Sequence, residues 1–368
     1  MDSQKETNIL ECTDENIKFC AKNILEGNVV VFPTETVYGM GACALNKDAV
    51  EKIYSYKKRP SNNPLIVHVI GWTEAEIYIN PTLKERNIAK RLADVFWPGP
   101  LTILVRKNQF ISDLVTANSE FVAFRSPSNK HARKLLESCM VPIAAPSANI
   151  SNKITSTSRD HIISYFGESS ISLLVDNEPC QLGTESTIVK VENDTVTIMR
   201  PGMITLDILE DVFKNMPDVK CSYKNNEDQT DSPGTSISHY TTTKNTALFN
   251  FMDMDIDESS HTEDIQKLLN NYLDNSACID FGKRNIQYKE IFGAYVDLSK
   301  NGDINEAIFN LYDVLHQLDK LDISNILIFD FYSNRDGLYQ TIFDRMYRCC
   351  SGKKILIPLQ IISARKTS

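Results

Sequence analysis

Between residues 14 and about 215, short apolar runs alternate with stretches whose apolar positions recur at helical spacing. The runs at 29–32, 65–69, 101–105, 121–124, 143–145, 171–175, 187–191 and 196–199 predict strands. Helices are predicted between them at 14–26, 46–58, 83–95, 129–139, 158–166 and 205–214. Such alternation points to an α/β domain built on a large sheet with flanking helices. Residues 216–244 lose apolar periodicity and gather Asn, Asp, Ser, Thr, Pro and Gly, which predicts a linker. A second α/β pattern follows, with strands expected at 247–251, 277–280, 294–298, 326–331 and 355–358 and helices at 261–273, 303–320 and 338–350. Its spacing favours parallel pairing in a smaller, Rossmann-like sheet. The expected organisation is therefore a domain at 1–215, a linker at 216–244 and a second domain at 245–368.

The chain has 368 residues, 42% of them hydrophobic, and 39 basic against 48 acidic side chains, a net charge of −9. This composition fits globular domains and excludes collagen-like and disordered chains. No apolar run reaches the roughly 18 residues that a membrane span requires. The first residues, MDSQKETNILECTDEN, carry neither a secretory nor a transit pattern, so a cytoplasmic protein is expected. The nine cysteines are scattered, and the only close pair is Cys349 and Cys350. They are read as buried or inert thiols, and no metal-ligand set is expected from their spacing. The acidic balance argues against broad nonspecific binding of nucleic acid, which needs many phosphate-neutralising cations.

Gly39-Met-Gly41-Ala-Cys-Ala44 matches a loose dinucleotide fingerprint, but where a ribose-binding acid is wanted the sequence offers Lys57, Lys58 and Arg59. P-loop, nucleophile-elbow and zincin patterns are absent. What remains is a set of polar and cationic residues following strands: Thr34, Glu35 and Thr36; the run Lys57 to Pro64; His68; Arg125; Ala145 to Asn149; Thr184 to Thr187; and Arg200. Loops at strand ends of open α/β sheets are common ligand sites. Arg offers a planar fork for phosphate or carboxylate, Lys a point charge, and Ser, Thr and Asn neutral donors. Each residue also has a plain structural reading. The Lys-Lys-Arg cluster can be a solvated helix end, His68 a core histidine, the Ser and Thr residues turn formers, and Trp97-Pro-Gly-Pro100 a rigid turn. From composition and spacing the reading stops at a nucleotide-binding α/β enzyme.

Taken together, FPTETVYGMGACALN, KKRPSNNPLIVHV, FWPGPLTILV, VAFRSP, APSANIS, GTESTIVKV and IMRPGMIT resemble the YrdC family, the L-threonylcarbamoyladenylate synthases, in order and spacing over residues 32–205. The rest is similar to the family's longer, SUA-type form, through Ser232-Pro-Gly-Thr-Ser-Ile-Ser-His-Tyr240 and a segment running from Gly337-Leu338 through Asp344-Arg345 to Arg348. The resemblance implies a YrdC-like domain with a large twisted sheet, followed by the smaller α/β domain.

It also implies a reaction in which L-threonine, bicarbonate or CO2, and ATP with Mg2+ give L-threonylcarbamoyl-AMP and pyrophosphate. The product would pass to a separate transferase that makes N6-threonylcarbamoyladenosine at position 37 of tRNAs reading ANN codons. Neither stable tRNA binding nor membrane contact is expected. Carried over by position, the threonine site comprises Thr36, His68, Arg125, Ala145 and Ser186. The ATP site comprises Lys57, Arg59, Asn63, Ser147, Asn149, Thr155, Arg200 and, from a lid-like linker, Tyr240, with Lys57 and Arg59 acting on the triphosphate. Two departures stand out: Phe121 occupies a position where the family commonly has Thr, and Thr235, Ser236, Ile237, Ser238 and Thr242 depart from its usual linker. The alternatives are an RNA-binding module without adenylation activity and a carbamoyl adenylate former of the kind used in hydrogenase maturation. The latter's zinc fingers and acylphosphatase unit have no counterpart in this sequence.

Overall fold

The computed structural model describes residues 8–224, 239–252, 262–331 and 337–359. The described residues fall into two compact units, one holding 8–151 and 155–224, the other 152–154 and the residues from 239 onward.

The first unit is an eleven-stranded mixed sheet. Its strands are β1 (Ile9–Glu11), β2 (Val30–Phe32), β3 (Gly39–Cys43), β4 (Ile66–His68), β5 (Leu101–Arg106), β6 (Phe121–Arg125), β7 (Ile143–Ala144), β8 (Ser172–Val175), β9 (Thr187–Glu192), β10 (Thr195–Arg200) and β11 (Lys220–Tyr223). They lie in the order β1-β8-β2-β3-β7-β4-β6-β5-β9-β10-β11. The long helices start where local chemistry starts them. Thr13 and Asn46 accept hydrogen bonds from the backbone N–H groups of Asn16 and Ala49, opening helices Asp14–Leu25 and Lys47–Lys57. Thr82 and Glu85 form a reciprocal capping box on helix Leu83–Phe96.

Alternation along the strands divides the sheet into two faces. One carries the larger core, including Val31, Met40, Val67, Ile103, Val122, Phe124 and Val189, with Ile53, Ile88 and Leu92 from the helices. On the other, Val30, Phe32, Ile143, Ala145 and Leu174 pack with Ile17, Ile24, Leu135 and Leu136 of helices Asp14–Leu25 and Lys130–Cys139.

Three strands were not expected. β1 is only three residues long. β3 is the Gly-Met-Gly-Ala-Cys segment, and its glycines serve packing. A Cβ on Gly41 would come within 2.6 Å of Ile143 Cγ2 and 2.8 Å of the Phe32 ring. β11 falls inside the predicted linker. It pairs parallel to β10, from Thr195↔Lys220 to Ile198↔Tyr223, and Cys221 and Tyr223 pack against the larger core. Residues 225–238 of that linker, with Ser232 and Thr235 to Ser238, lie outside the described residues.

The second unit is an all-parallel sheet of β12 (Asn245–Met252), β13 (Ser276–Asp280), β14 (Ala294–Asp297), β15 (Asn325–Phe329) and β16 (Lys354–Pro358), in the order β14-β13-β15-β12-β16. The parallel pairing matches the strand and helix spacing, with helices Thr262–Asp274, Ile304–Asp319 and Leu338–Cys349 as connections. Ala247, Phe249, Cys278, Phe292, Leu327 and Ile357 form its core. All nine cysteines are free, and most are buried. Burial pushes the Cys20, Cys139 and Cys349 thiols up to about 12, in keeping with unreactive side chains.

Candidate functional site

The sequence places the candidate residues after strands, but the mixed sheet does not gather those ends at one edge. β4 and β7 run antiparallel, so His68 and Ala145 leave the sheet toward opposite edges. What they share is a face. Phe121, Ala123 and Arg125 alternate along β6, and Ile66 and His68 along β4, so the apolar members of each set lie on the same face as the polar one. Ile66, Leu104, Phe121, Ala123, Ile188 and Met199 form an apolar patch distinct from the two cores. Beside it stand His68, Arg125, Ser186 and Arg200. An apolar floor with a few converging polar groups is the usual make-up of a small-molecule site.

Arg125 ends β6, directly opposite His68 in the parallel β4–β6 pairing. Its Nη2 lies 2.8 Å from Oε1 of Glu35, which follows β2, and both side chains are almost wholly buried. The contact is an ion pair whose angles are not those of a hydrogen bond, and Arg125 Nε and Nη2 have no hydrogen-bond partner among the described residues. Burial alone would push the Glu35 carboxyl up, but the Arg125 charge and hydrogen bonds outweigh it, and its pKa falls below the ordinary value. His68 packs edge-on against the Phe32 ring at 6.0 Å. Burial, reinforced by Arg125, pushes its pKa down to about 3, so it is neutral at pH 7. Its Nδ1 also lacks a partner among the described residues. Thr36 is held through Thr34, whose Oγ1 lies 2.9 Å from Thr36 Oγ1 and donates to Val37 O. Ala145 donates its backbone N–H to Ile66 O at 2.8 Å.

Lys57 closes helix Lys47–Lys57 and is 1% exposed. Lys58 takes a left-handed conformation (φ 51°) that turns the chain there. The predicted alternative of a solvated helix end therefore does not hold for Lys57. Its Nζ donates to Ser147 O at 2.6 Å and to Asn149 O, with Asn149 Oδ1 at 3.4 Å. Ser147 Oγ donates to the same Asn149 Oδ1 at 2.6 Å. Arg59 Nε donates to Asn63 O at 3.0 Å, and its Nη2 to Asn63 Oδ1 and to Pro64 O. Burial, with the neighbouring Arg59 charge, pulls Lys57 well below its ordinary pKa, and burial brings Arg59 down to about 10. Arg200 donates from Nε and Nη2 to Ser186 O and from Nη2 to Ser186 Oγ at 3.1 Å. Ser186 Oγ in turn lies 2.8 Å from Thr102 Oγ1 on β5. Thr155 donates to Glu185 Oε1 at 2.8 Å.

Among the described residues of this unit the four buried cations, Lys57, Arg59, Arg125 and Arg200, thus all belong to these segments, against two buried carboxylates, Glu35 and Glu185. The other buried acid, Glu85, closes the capping box of a helix. Cationic side chains thus outnumber carboxylates in this region of a chain of net charge −9, a composition that suits an anionic ligand. Glu35, which the site prediction left out, is the piece that sequence reasoning missed. The only signal for it was an acid within an otherwise neutral strand-end loop.

Two predicted features stand apart. Phe121 is buried in the apolar patch, with Lys190 Nζ 4.1 Å and Arg106 Cζ 4.8 Å from its ring centroid, so the position supplies cation–π packing and no hydroxyl. Tyr240 belongs to the second unit and is buried, in a left-handed conformation (φ 64°). Its ring packs against His239 at 4.1 Å, Tyr312 at 5.3 Å and the Arg345 guanidinium at 5.8 Å.

The chain is similar to known proteins. Residues 22–202 match the Sua5–YciO–YrdC family, described as telomere recombination, and residues 204–351 match the C-terminal domain described for threonylcarbamoyl-AMP synthase. The threonylcarbamoyl-AMP synthase of Bacillus subtilis is 34% identical over 355 residues, covering 95% of this chain and 97% of that one. That of Pyrococcus abyssi is 37% identical over 235 residues, 63% of this chain and 68% of its own. The crystal structure of Pyrococcus abyssi Sua5 complexed with L-threonine superposes with a TM-score of 0.78 at 28% identity, covering 95% of this chain and 99% of that one.

Proposed function

The chain belongs to the Sua5–YciO–YrdC family of threonylcarbamoyl-AMP synthases, and on that premise we propose that it joins L-threonine, bicarbonate or CO2, and ATP into L-threonylcarbamoyl-AMP and pyrophosphate. The observation that carries this reading is the buried Arg125 guanidinium. It stands beside a neutral histidine with N–H groups left unfilled, next to an apolar patch. A buried fork of that kind is suited to a carboxylate, because two parallel charge-assisted hydrogen bonds both bind and orient it.

In this mechanism Arg125 holds the threonine carboxylate, and Glu35, 2.8 Å from Arg125 Nη2, supplies a counter-charge to the buried guanidinium. Thr36, His68, the backbone at Ala145 and Ser186 complete the threonine pocket. The threonine amine captures CO2 as a carbamate and loses a proton. A carbamate oxygen then attacks the α-phosphorus in line, and the bond from that phosphorus to the bridging oxygen breaks as pyrophosphate leaves. Such a transfer needs positioning and charge neutralisation more than acid–base chemistry. Lys57, Arg59 and Arg200 supply the positive field, and Asn63, Ser147, Asn149 and Thr155 supply neutral donors and acceptors around the nucleotide. Mg2+ would arrive on the triphosphate and share its charge. The hydroxyl, amide and carboxylate oxygens of Ser147, Asn149, Thr155 and Glu185 suit a hard cation carried in this way.

The adenylate then passes to a separate transferase that modifies adenosine 37 of tRNA, so this chain has no need to hold tRNA itself. A purely RNA-binding role is disfavoured, because the cations are buried in one region instead of spread over a surface. No helix among the described residues is long and apolar enough to cross a membrane. The test is to incubate the purified chain with threonine, bicarbonate, ATP and Mg2+. Pyrophosphate release together with the threonylcarbamoyl adenylate in the mass spectrum supports the reading. Fresh, neutral reactions without the adduct would overturn it.

A further inference from the structure

Three donors that are not among the residues assigned to substrates meet from distant parts of the sequence. β1 and β8 pair in parallel with Glu11 opposite Val175, so the next residues, Cys12 and Asp176, leave the sheet side by side. His131 comes to the same place from the first turn of helix Lys130–Cys139, where Asn129 Oδ1 accepts its backbone N–H at 2.9 Å. One donor atom each from Cys12, His131 and Asp176 lies within 4.8 Å of the other two. His131 Nε2 is 3.3 Å from Asp176 Oδ2, and their side chains are 14% and 23% exposed. The other Asp176 oxygen, Oδ1, accepts from the Glu178 backbone N–H, which fixes the carboxylate with Oδ2 turned to the imidazole.

We propose that Cys12, His131 and Asp176 form a binding site for a divalent cation of the zinc class. Sulfur, imidazole nitrogen and a carboxylate oxygen are the donors such an ion takes, and three protein ligands leave one position for water. Tetrahedral bonds of about 2.0 to 2.1 Å put a nitrogen and an oxygen ligand about 3.3 Å apart, which is the separation between His131 Nε2 and Asp176 Oδ2. On binding, the Cys12 thiol gives up its proton and the sulfur takes the metal. Thiolate and carboxylate together then neutralise the ion's two charges, as a mostly shielded site requires. The ion ties the end of β1 to the end of β8 and to the start of helix Lys130–Cys139. It would also brace the segment after β2, because the Tyr38 hydroxyl accepts the Asp176 backbone N–H at 3.0 Å.

The test uses the full-length chain, stripped with a chelator and titrated with Co2+ and with Zn2+ alone. Wild type should bind one equivalent and show a thiolate-to-cobalt charge-transfer band. Its melting temperature should rise with excess Zn2+. The Cys12→Ser variant should lose the band and the thermal shift, whereas Cys43→Ser should keep both. His131→Gln, a near-isosteric change in the first turn of its helix, should weaken zinc binding at least tenfold and guards against misfolding of the cysteine variant. No band in wild type, an unchanged band in folded Cys12→Ser, or an unchanged zinc affinity in folded His131→Gln would overturn the proposal, and none of these results depends on adenylate formation.

Discussion

Arg125 and Glu35 form an ion pair at 2.8 Å with both side chains almost fully buried, joining the end of β6 to the loop after β2. The pair matters for function because it leaves part of the guanidinium unfilled while supplying the counter-charge that makes burial tolerable.

The first prediction concerns the fork. Arg125→Lys keeps a charge facing Glu35 but loses the planar pair of donors. Threonine KM should rise about tenfold or more, equivalent to about 1.4 kcal/mol of lost binding, while ATP KM changes little. Steady-state pyrophosphate release at varied threonine and varied ATP measures both. A parallel rise in the two constants would mean that Arg125 does not select for threonine.

The second concerns acid. The folded pKa of Glu35 lies below its ordinary value of 4.5, so the unfolded chain takes up this proton first. The stability contributed is complete above that value and is lost as the pH falls through the folded one. Glu35→Gln should cost about 3 kcal/mol at neutral pH by stranding the Arg125 charge. The gap between variant and wild type should close as the pH drops below about 4.5. Urea unfolding at a series of pH values reads this directly, and a gap independent of pH would refute it.

Much of this architecture could be read before any coordinates, for identifiable reasons. The helix at Leu83–Phe96 announces itself through Thr82 and Glu85, whose capping geometry is local. The parallel sheet of the second unit follows from strand and helix spacing. β3 was hidden because Gly39 and Gly41 look like a loop. The Phe32 ring beside both glycines, with Ile143 against Gly41, explains why a strand there needs glycine. β11 was hidden because Cys221 and Tyr223 alternate with polar residues inside a polar stretch. The site residues came from loop chemistry and family likeness, whereas the Glu35–Arg125 pair depends on contact between segments about 90 positions apart in the sequence. The meeting of Cys12, His131 and Asp176 was invisible for the same reason.

The third prediction follows from Phe121. With two cations over its ring and five apolar neighbours in its patch, Phe121→Thr removes packing that a hydroxyl cannot replace. A loss of about 3 kcal/mol is expected, the lower end for deleting a buried aromatic side chain. Chemical denaturation checks it, and a neutral result would mean that the ring contributes little to the fold.

The fourth separates scaffold from chemistry at Lys57. Its ammonium meets oxygens of Ser147 and Asn149, so it fixes the loop that carries two of the proposed nucleotide contacts. Lys57→Met keeps most of the buried aliphatic length but leaves those acceptors without this donor. A stability cost of about 1 to 3 kcal/mol is expected. If the loop and the charge also serve adenylation, kcat for pyrophosphate release should fall at least about tenfold, which is about 1.4 kcal/mol of barrier, with threonine KM nearly unchanged. Measuring the rate well below the variant's melting temperature, per folded molecule, distinguishes the two roles. Full activity per folded molecule would reduce Lys57 to a structural tether and leave Arg59 and Arg200 to carry the triphosphate charge.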